Sequence, residues 1–488
     1  MREVNPARSE SRQLESGCRA HRRLVRCLRL WSLSTYNSVT RTRRRVGFFW
    51  RNSVLRRSAL PVVKILYVSQ YFPPEMGAPA ARADELSRHW ARMGHDVTVL
   101  TGFPNHPTGV VPAEWRARLR RLYYTQTVDC VRIARTWLWP LPNRKAHERI
   151  RSYASFFFSS ALRGLNLSRP DVVIGTSPQL LVALSGWWLA RSKGVPFVFE
   201  VRDLWPESLA AVGAGGEGSV MHRTLGAIAG FLYRRANHIV VVTPAFKDHL
   251  IRYWRVPAEK ISVVENGVET DLFRANPTAA TIRRELIGDS DDRFLICYIG
   301  TMGMAHGLET LIDAAEELQT TQPNCLFLLI GEGAEKQRIV DMAAARGLTN
   351  IKFLGQQARH QIPELVSAAD ACLVMLKKTD LFKTVIPTKL LEYMACERPV
   401  IVAVDGQTRQ IVEEARAGIF VPPEDSHALA ESIRSLALNA NAEIRRQMGF
   451  NGRQYILSRL SRERTAHDYI TVLKKLTGET ELTQAAAA

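Results

Sequence analysis

Between Lys383 and Glu392 the chain reads KTVIPTKLLE, and two lysines, a threonine and a carboxylate stand together there. Leu390, Leu391, Met394 and Ala395 recur three and four apart, one face of a helix. The flanking blocks DACLVMLKK (Asp370 to Lys378) and PVIVAV (Pro399 to Val404) are short apolar runs with polar or proline ends, which predicts buried strands. A strand, helix, strand unit of this length requires parallel strands, and ligands of such sheets gather at the strand carboxyl ends, where helix N-termini point. Lys383, Thr388 and Lys389 then surround a helix N-terminus with two positive charges and a hydroxyl beside free N–H donors, a set suited to pyrophosphate. Glu392, one turn inside, has the paired acceptors to take hydrogen bonds from vicinal hydroxyls. An ordinary helix-start carboxylate, favoured by the dipole, fits its spacing equally well.

Other loops have matching chemistry. In YFPPEMGAPAARADELSRH two prolines and Gly77 break the chain before a helix that begins near Ala80, so backbone N–H groups are free to face an anion. The loop is neither a GxGxxG fingerprint nor a Walker A sequence. FEVRDLWPES places Glu200, Arg202, Asp203 and Glu207 at the carboxyl end of a strand, where charges are costly unless paired or liganded. A structural Arg202–Asp203 pair with helix capping by Asp203 would meet that cost; a functional cluster is the expectation here. YIGTMGMAHGLE and LLIGEGAEKQRI each run from a strand through a glycine loop into a helix, so that Gly300, Gly303, Gly331 and Gly333 allow close backbone approach to a phosphate.

The elements that position these residues alternate. KILYVSQ, HDVTVLTG, CVRIART, DVVIGTS, PFVFEVRD and HIVVVTP are strands of a first half, and FLICYIG, CLFLLIG, IKFLG, ACLVML and PVIVAV those of a second, with helical stretches between. Two such series predict an α/β protein of two doubly wound, Rossmann-like domains facing across a cleft. The expected division is 62–267 and 268–452, joined at VVENGVETDLF, where Asn266-Gly267 supplies turn chemistry. A last long helix spans about 453–476, with no strand after it.

The composition is that of a globular protein, with 46% hydrophobic residues and a formal charge of +19. That charge does not signal nucleic-acid binding by the body. Residues 1–60 hold fifteen Arg, no Lys and three Glu, so they contribute +12 and the rest only +7. Residues 1–61 are expected to be a disordered basic arm, a targeting segment, or sequence upstream of a misassigned start. The seven cysteines form no CxxC pair and read as reduced residues of a cytoplasmic protein. No metal-ligand spacing stands out, and no cofactor is expected. The uncharged run Val172 to Ala190 is long enough to span a bilayer, but its proline and glycines divide it into a strand and a helix.

Taken in order, YVSQYFPPEMGAPAARADELSRHWARMGHDVTVLTG, FEVRDLWPES, VVENGVETDLF, YIGTMGMAHGLETLIDAA and IPTKLLEYMACERPVI resemble the retaining family 4 glycosyltransferases of the two-Rossmann B-type fold (GT-B). The FPPE and RDLWPE segments are most similar to the branch of N-acetyl-L-fucosamine transferases in bacterial O-antigen and colanic-acid-type polysaccharide assembly. The resemblance covers Val62 to about Leu476. It implies a nucleotide-sugar donor, a UDP-sugar such as UDP-N-acetyl-L-fucosamine, and a saccharide acceptor linked to a polyprenyl diphosphate. Glu392 matches the ribose-binding second glutamate of the family's E-x7-E signature; Thr384 stands where the first glutamate belongs. Thr301 and His306 occupy the places of the usual phosphate-binding Arg and Lys, which leaves Lys383 and Lys389 to supply the charge. By the same resemblance Arg202, followed by Asp203, stands for the active-site His, Gly77 lies beside the diphosphate, and Gly355-Gln356 meets the base. The final helix crosses back onto the first domain.

The implied reaction is a front-face transfer in which the leaving diphosphate is stabilised electrostatically and helps to deprotonate the acceptor. The segments SYASFFFSSALRGL and WRARLRRLYY offer contact with the inner membrane surface, although a core helix and a solvated loop are the plainer expectations. Three rivals predict different behaviour. A nucleotide-sugar 2-epimerase turns over donor alone, a degenerate scaffold binds nucleotide without turnover, and an Arg-arm nucleic-acid binder shows steep salt dependence lost with residues 1–61.

Overall fold

Fourteen short strands build two sheets in the computed structural model, which describes residues 62–106, 108–141, 146–211, 218–288 and 293–478. The basic extension expected over 1–61 lies outside these residues. The first sheet contains β1 (Lys64–Val68), β2 (Asp96–Gly102), β3 (Tyr123–Val128), β4 (Val131–Thr136), β5 (Val172–Thr176), β6 (Phe197–Val201), β7 (His238–Val241) and β8 (Ile261–Val263). The second contains β9 (Phe294–Ile299), β10 (Cys325–Ile330), β11 (Ile351–Leu354), β12 (Ala371–Met375), β13 (Val400–Ala403) and β14 (Gly418–Phe420). The helices used below are α1 (Ala78–Arg92), α2 (Ala113–Leu119), α3 (Ala146–Leu165), α4 (Leu180–Lys193), α5 (Thr388–Ala395), α6 (Ala442–Tyr455) and α7 (Arg462–Leu476).

The strand orders are β3-β4-β2-β1-β5-β6-β7-β8 and β11-β10-β9-β12-β13-β14, parallel throughout except for the antiparallel edge pair β3-β4. Central strands such as FLICYI and CLFLLI are buried along their whole length, because helices cover both faces of a parallel sheet. The order reverses between β1 and β5 in the first sheet and between β9 and β12 in the second. Loops diverge at these switch points and leave crevices at the strand carboxyl ends.

Three local expectations are corrected. WRARLRRLYY is not a loop: it is α2 followed by the start of β3, whose charged and aromatic residues suit an edge strand, with Trp115 packed edge-on to Phe103 and Tyr124. SYASFFFSSALRGL is only half a core helix. Phe156 is buried, but Phe158, Leu162 and Leu165 face outward, as does Ile150 just before the segment on the same helix. The single helix expected from 453 is two. A π-helical turn at Ile456–Leu460 ends α6, and Ser461, in extended conformation, caps α7 by accepting a hydrogen bond from the Arg464 N–H. The break lets the backbone of Val268 bond with Leu460 and Arg462. Gly267 is required at this crossing, since a Cβ there would sit 2.6 Å from Thr465 Oγ1.

Cys297, Cys325, Cys372 and Cys396 are buried free thiols, in keeping with the expectation for them. The run 172–190 divides into β5 and α4, and among the described residues no helix is long and apolar enough to cross a membrane.

α7 packs on α1 of the first domain through a fully buried indole. Trp90 meets the Tyr469 ring edge-on at 5.2 Å and donates its Nε1–H to the Ala466 carbonyl at 3.1 Å. Trp90→Ala is therefore expected to cost about 3–5 kcal/mol in denaturant unfolding. A loss under about 1 kcal/mol would mean that α7 does not hold the domain.

Candidate functional site

At the β9/β12 switch point three segments touch. Gly300 follows β9 with φ +144° and Gly331 follows β10 with φ +138°, conformations that admit glycine and little else. A Cβ on Gly331 would lie 2.0 Å from the Gly300 carbonyl oxygen, and one on Gly300 would lie 2.7 Å from Lys389 Nζ, on α5. The glycines thus let both loops close over the lysine. Its ammonium lies 3.8 Å from the Tyr298 ring centroid and is buried without a hydrogen-bond partner. Burial draws its pKa down to about 7, against the pull of Glu392. His306 meets the Tyr298 ring edge-on at 6.1 Å between centroids, with Nδ1 3.4 Å from the Met375 carbonyl. Burial and Lys389 together lower it to about 3, so it is neutral and is not a substitute cation. Pro387 precedes α5, and no side chain caps its first N–H groups, which include that of Thr388.

Lys383 goes elsewhere. Its Nζ pairs at the surface with Asp380 at 2.8 Å, so the two lysines of the motif serve different places. Thr384, at the position of the missing glutamate, is spent on structure. Its hydroxyl donates to the Leu381 carbonyl at 2.6 Å, and its own carbonyl accepts from Thr243 across the domain boundary at 2.9 Å.

Glu392 is in the cleft, and a residue absent from the sequence-based set holds it. Arg359 reaches Glu392 Oε1 at 3.1 Å and Glu85 Oε1 at 2.5 Å, and Arg462 Nε meets the other oxygen of Glu85 at 2.9 Å. This chain of alternating charges runs from the second domain to α1 of the first and back to α7. Burial raises the Glu392 carboxyl, and the Arg359 guanidinium opposes it.

On the first-domain side Gly77, φ +120°, ends the β1 loop and precedes α1, which has no side-chain cap. Arg202 reaches over that N-terminus: Nη2 donates to the Ala78 carbonyl at 3.3 Å, while Nε and Nη1 are buried without partners. Asp203 is turned into its own loop, accepting from Trp205 Nε1 at 3.1 Å and from the Ser208 hydroxyl. Burial raises its carboxyl, and these bonds oppose the rise. The ion pair in this segment is instead Arg82–Glu200, fully buried at 3.0 Å, with Tyr67 and Thr176 hydroxyls each 2.7 Å from Glu200 Oε2. Arg82 also donates to Asn266 at 2.9 Å and so ties α1 to the interdomain turn. Gly355 follows β11, and Gln356 extends to Met76 Sδ at 3.7 Å, which brings the expected base-side loop against the Gly77 loop.

The structure therefore brings together Gly300, Gly331, Lys389, Thr388 and Glu392 in one domain and Gly77 and Arg202 in the other. It directs Asp203 to side-chain hydrogen bonds within its own loop and Lys383 to the surface. Arg359, Glu85 and Arg462 were not found from sequence, because no local pattern links residues 274 and 377 positions apart.

Two family descriptions match the chain: Glycosyltransferase Family 4 over residues 80–272, and Glycosyl transferases group 1 over residues 281–455. The protein assigned as colanic acid biosynthesis glycosyl transferase WcaI of Escherichia coli (strain K12) is 26% identical over 389 residues, 77% of this chain and 92% of that protein. Among solved structures, sucrose-phosphate synthase from Thermosynechococcus elongatus has a TM-score of 0.67 at 20% identity, covering 85% of this chain and 99% of that one. Anabaena HepE, in complex with UDP and glucose, has a TM-score of 0.63 at 18% identity, covering 85% and 100%. At such identities the structures establish the fold, two parallel-sheet α/β domains of the GT-B type.

Proposed function

We propose that this chain, a glycosyltransferase of the GT-B fold, transfers a sugar from a UDP-sugar, with retention, to a lipid-linked saccharide in the assembly of a cell-surface polysaccharide. The observation that carries the donor site is the convergence of Gly300, Gly331, the uncapped α5 N-terminus, Lys389 and Glu392 on one crevice. The N–H groups and ammonium meet the diphosphate, and Glu392 takes the ribose hydroxyls. In the proposed step the C1–O bond to the diphosphate breaks with its electron pair moving to the phosphate oxygen. The acceptor oxygen bonds to C1 on the same face, and its proton passes to that departing oxygen. Lys389 and the helix terminus stabilise the developing charge, and Arg202 faces it from the other domain.

The UDP held by HepE supports the choice of nucleotide, and the naming of WcaI supports the polysaccharide setting. N-acetylated amino sugars of the fucosamine type are the first donors to screen. The outward stripe of Ile150, Phe158, Leu162 and Leu165 on α3, with exposed Arg151 beside it, suits contact with an anionic membrane on the cytoplasmic face. Calorimetric titration of the full chain with UDP, GDP and ADP is expected to show selective UDP binding in the micromolar range, about −8 kcal/mol. Absence of binding by all three would remove the donor-site reading.

A further inference from the structure

One polar cluster lies outside the donor crevice, on loops at the carboxyl ends of β1 and β2. Glu75, buried in the FPPE loop, accepts the backbone N–H groups of Asn105 and His106 through Oε1, at 3.1 and 3.0 Å, and that of Phe72 through Oε2 at 3.3 Å. Arg135, fully buried on β4, fastens the same two loops by donating to the Gly102 carbonyl at 2.9 Å and to the Pro73 carbonyl. The His106 ring rests on Tyr71, 4.7 Å between centroids. Glu75, whose carboxyl burial raises to about 7, and the buried Arg135 thus hold the loop backbone that carries one half-buried imidazole.

Around it are side-chain atoms with nothing to bond. Gln70 Oε1, Asn105 Oδ1 and His106 Nδ1 are all buried without a partner, and Gln70 and Asn105 are 2% and 3% exposed. A buried polar atom without a partner costs stability, and a group of them in a native fold calls for an explanation. Burial lowers the pKa of His106, which favours the neutral ring. Two amide oxygens and a neutral imidazole form an acceptor-rich set, and its chemical complement is a ligand with several O–H donors. The next residues of the same loop are Met76, in contact with Gln356 of the other domain, and Gly77 beside the donor crevice.

We propose that His106 contacts a hydroxyl of the saccharide acceptor, that Gln70 and Asn105 bind with it, and that Glu75 is the positioning residue that presents it. This rests on the glycosyltransferase reading and adds the acceptor subsite to it.

Saturation-transfer NMR on the full chain with saturating UDP, using n-octyl β-D-glucopyranoside and n-octyl N-acetyl-β-D-glucosaminide as hydroxyl-bearing probes, tests it. Wild type is expected to transfer saturation to the ring protons of at least one probe. His106→Ala is expected to weaken that binding about tenfold while the calorimetric UDP affinity stays within twofold, and His106→Gln, which keeps an acceptor atom, to restore most of it. Glu75→Gln should weaken probe binding similarly and add little to His106→Ala, because it acts through that residue. Equal probe binding by wild type and His106→Ala, additive losses in the double variant, or no transfer from wild type to either probe would overturn the acceptor subsite. Loss of UDP binding by wild type would instead overturn the donor reading.

Discussion

Lys389→Met is expected to lower sugar transfer by about 10²–10³-fold, the range seen when one preorganised charge-stabilising group is removed from a leaving oxyanion. The ammonium is buried beneath Gly300 without a hydrogen-bond partner, and burial brings its pKa down to about 7. Between pH 7 and the ordinary lysine value of 10.5 the unfolded chain therefore binds the proton more fully than the folded one, so this residue makes stability rise with pH across that window. A diphosphate acts in the opposite direction, because its negative charge restores the proton. UDP binding above pH 7 should accordingly take up a proton, and affinity should fall as pH rises. Titration at pH 6.5, 7.5 and 8.5, in buffers of different ionisation enthalpy, measures the uptake directly. The methionine variant should bind weakly, take up no proton and show a flatter profile. If wild type takes up none, or if the variant turns over within a few fold, the diphosphate is stabilised elsewhere.

Much of this arrangement was legible because its signals are local. Short apolar blocks separated by glycine or proline define parallel strands, and the switch points of such sheets fix which loops can meet. Gly300, Gly331 and Glu392 follow from that logic. Residues three to seven positions apart are harder, since spacing alone does not tell which of two lysines turns inward: Lys389 lies on the buried side of α5, and Lys383 sits in a 3₁₀ turn that faces Asp380. The Arg82–Glu200 pair and the Glu392–Arg359–Glu85–Arg462 chain were illegible for a different reason. Arg82, Glu85 and Arg462 look like solvated helix residues until the fold removes water from around them, and the partner that makes burial tolerable comes from a distant element, in the Arg359–Glu85 pair from the other domain. The π turn before Ser461 escaped notice because Ile456 and Leu460 preserve helical spacing while the backbone stops to cross Val268.

Glu392→Gln is expected to weaken UDP binding by about ten- to a hundredfold and to lower transfer with it, since hydrogen bonds to a charged acceptor contribute about 1.5–3 kcal/mol. The geometry around the carboxylate sharpens the test. Oε1 of Glu392 is engaged by Arg359, which also holds Glu85, so the ribose must share that oxygen or displace the guanidinium. Displacement leaves Arg359 paired with Glu85 and not stranded, which keeps the exchange affordable in a site where an unpaired charge is costly. The comparison ligand is 2′,3′-dideoxyuridine diphosphate, which keeps the base and diphosphate and lacks both hydroxyls. Wild type should prefer UDP to this analogue by about the factor that the mutation costs, and Glu392→Gln should discriminate far less between the two. Undiminished discrimination by the variant would show that the ribose hydroxyls are read by another group and that Glu392 serves only the ion chain between the domains.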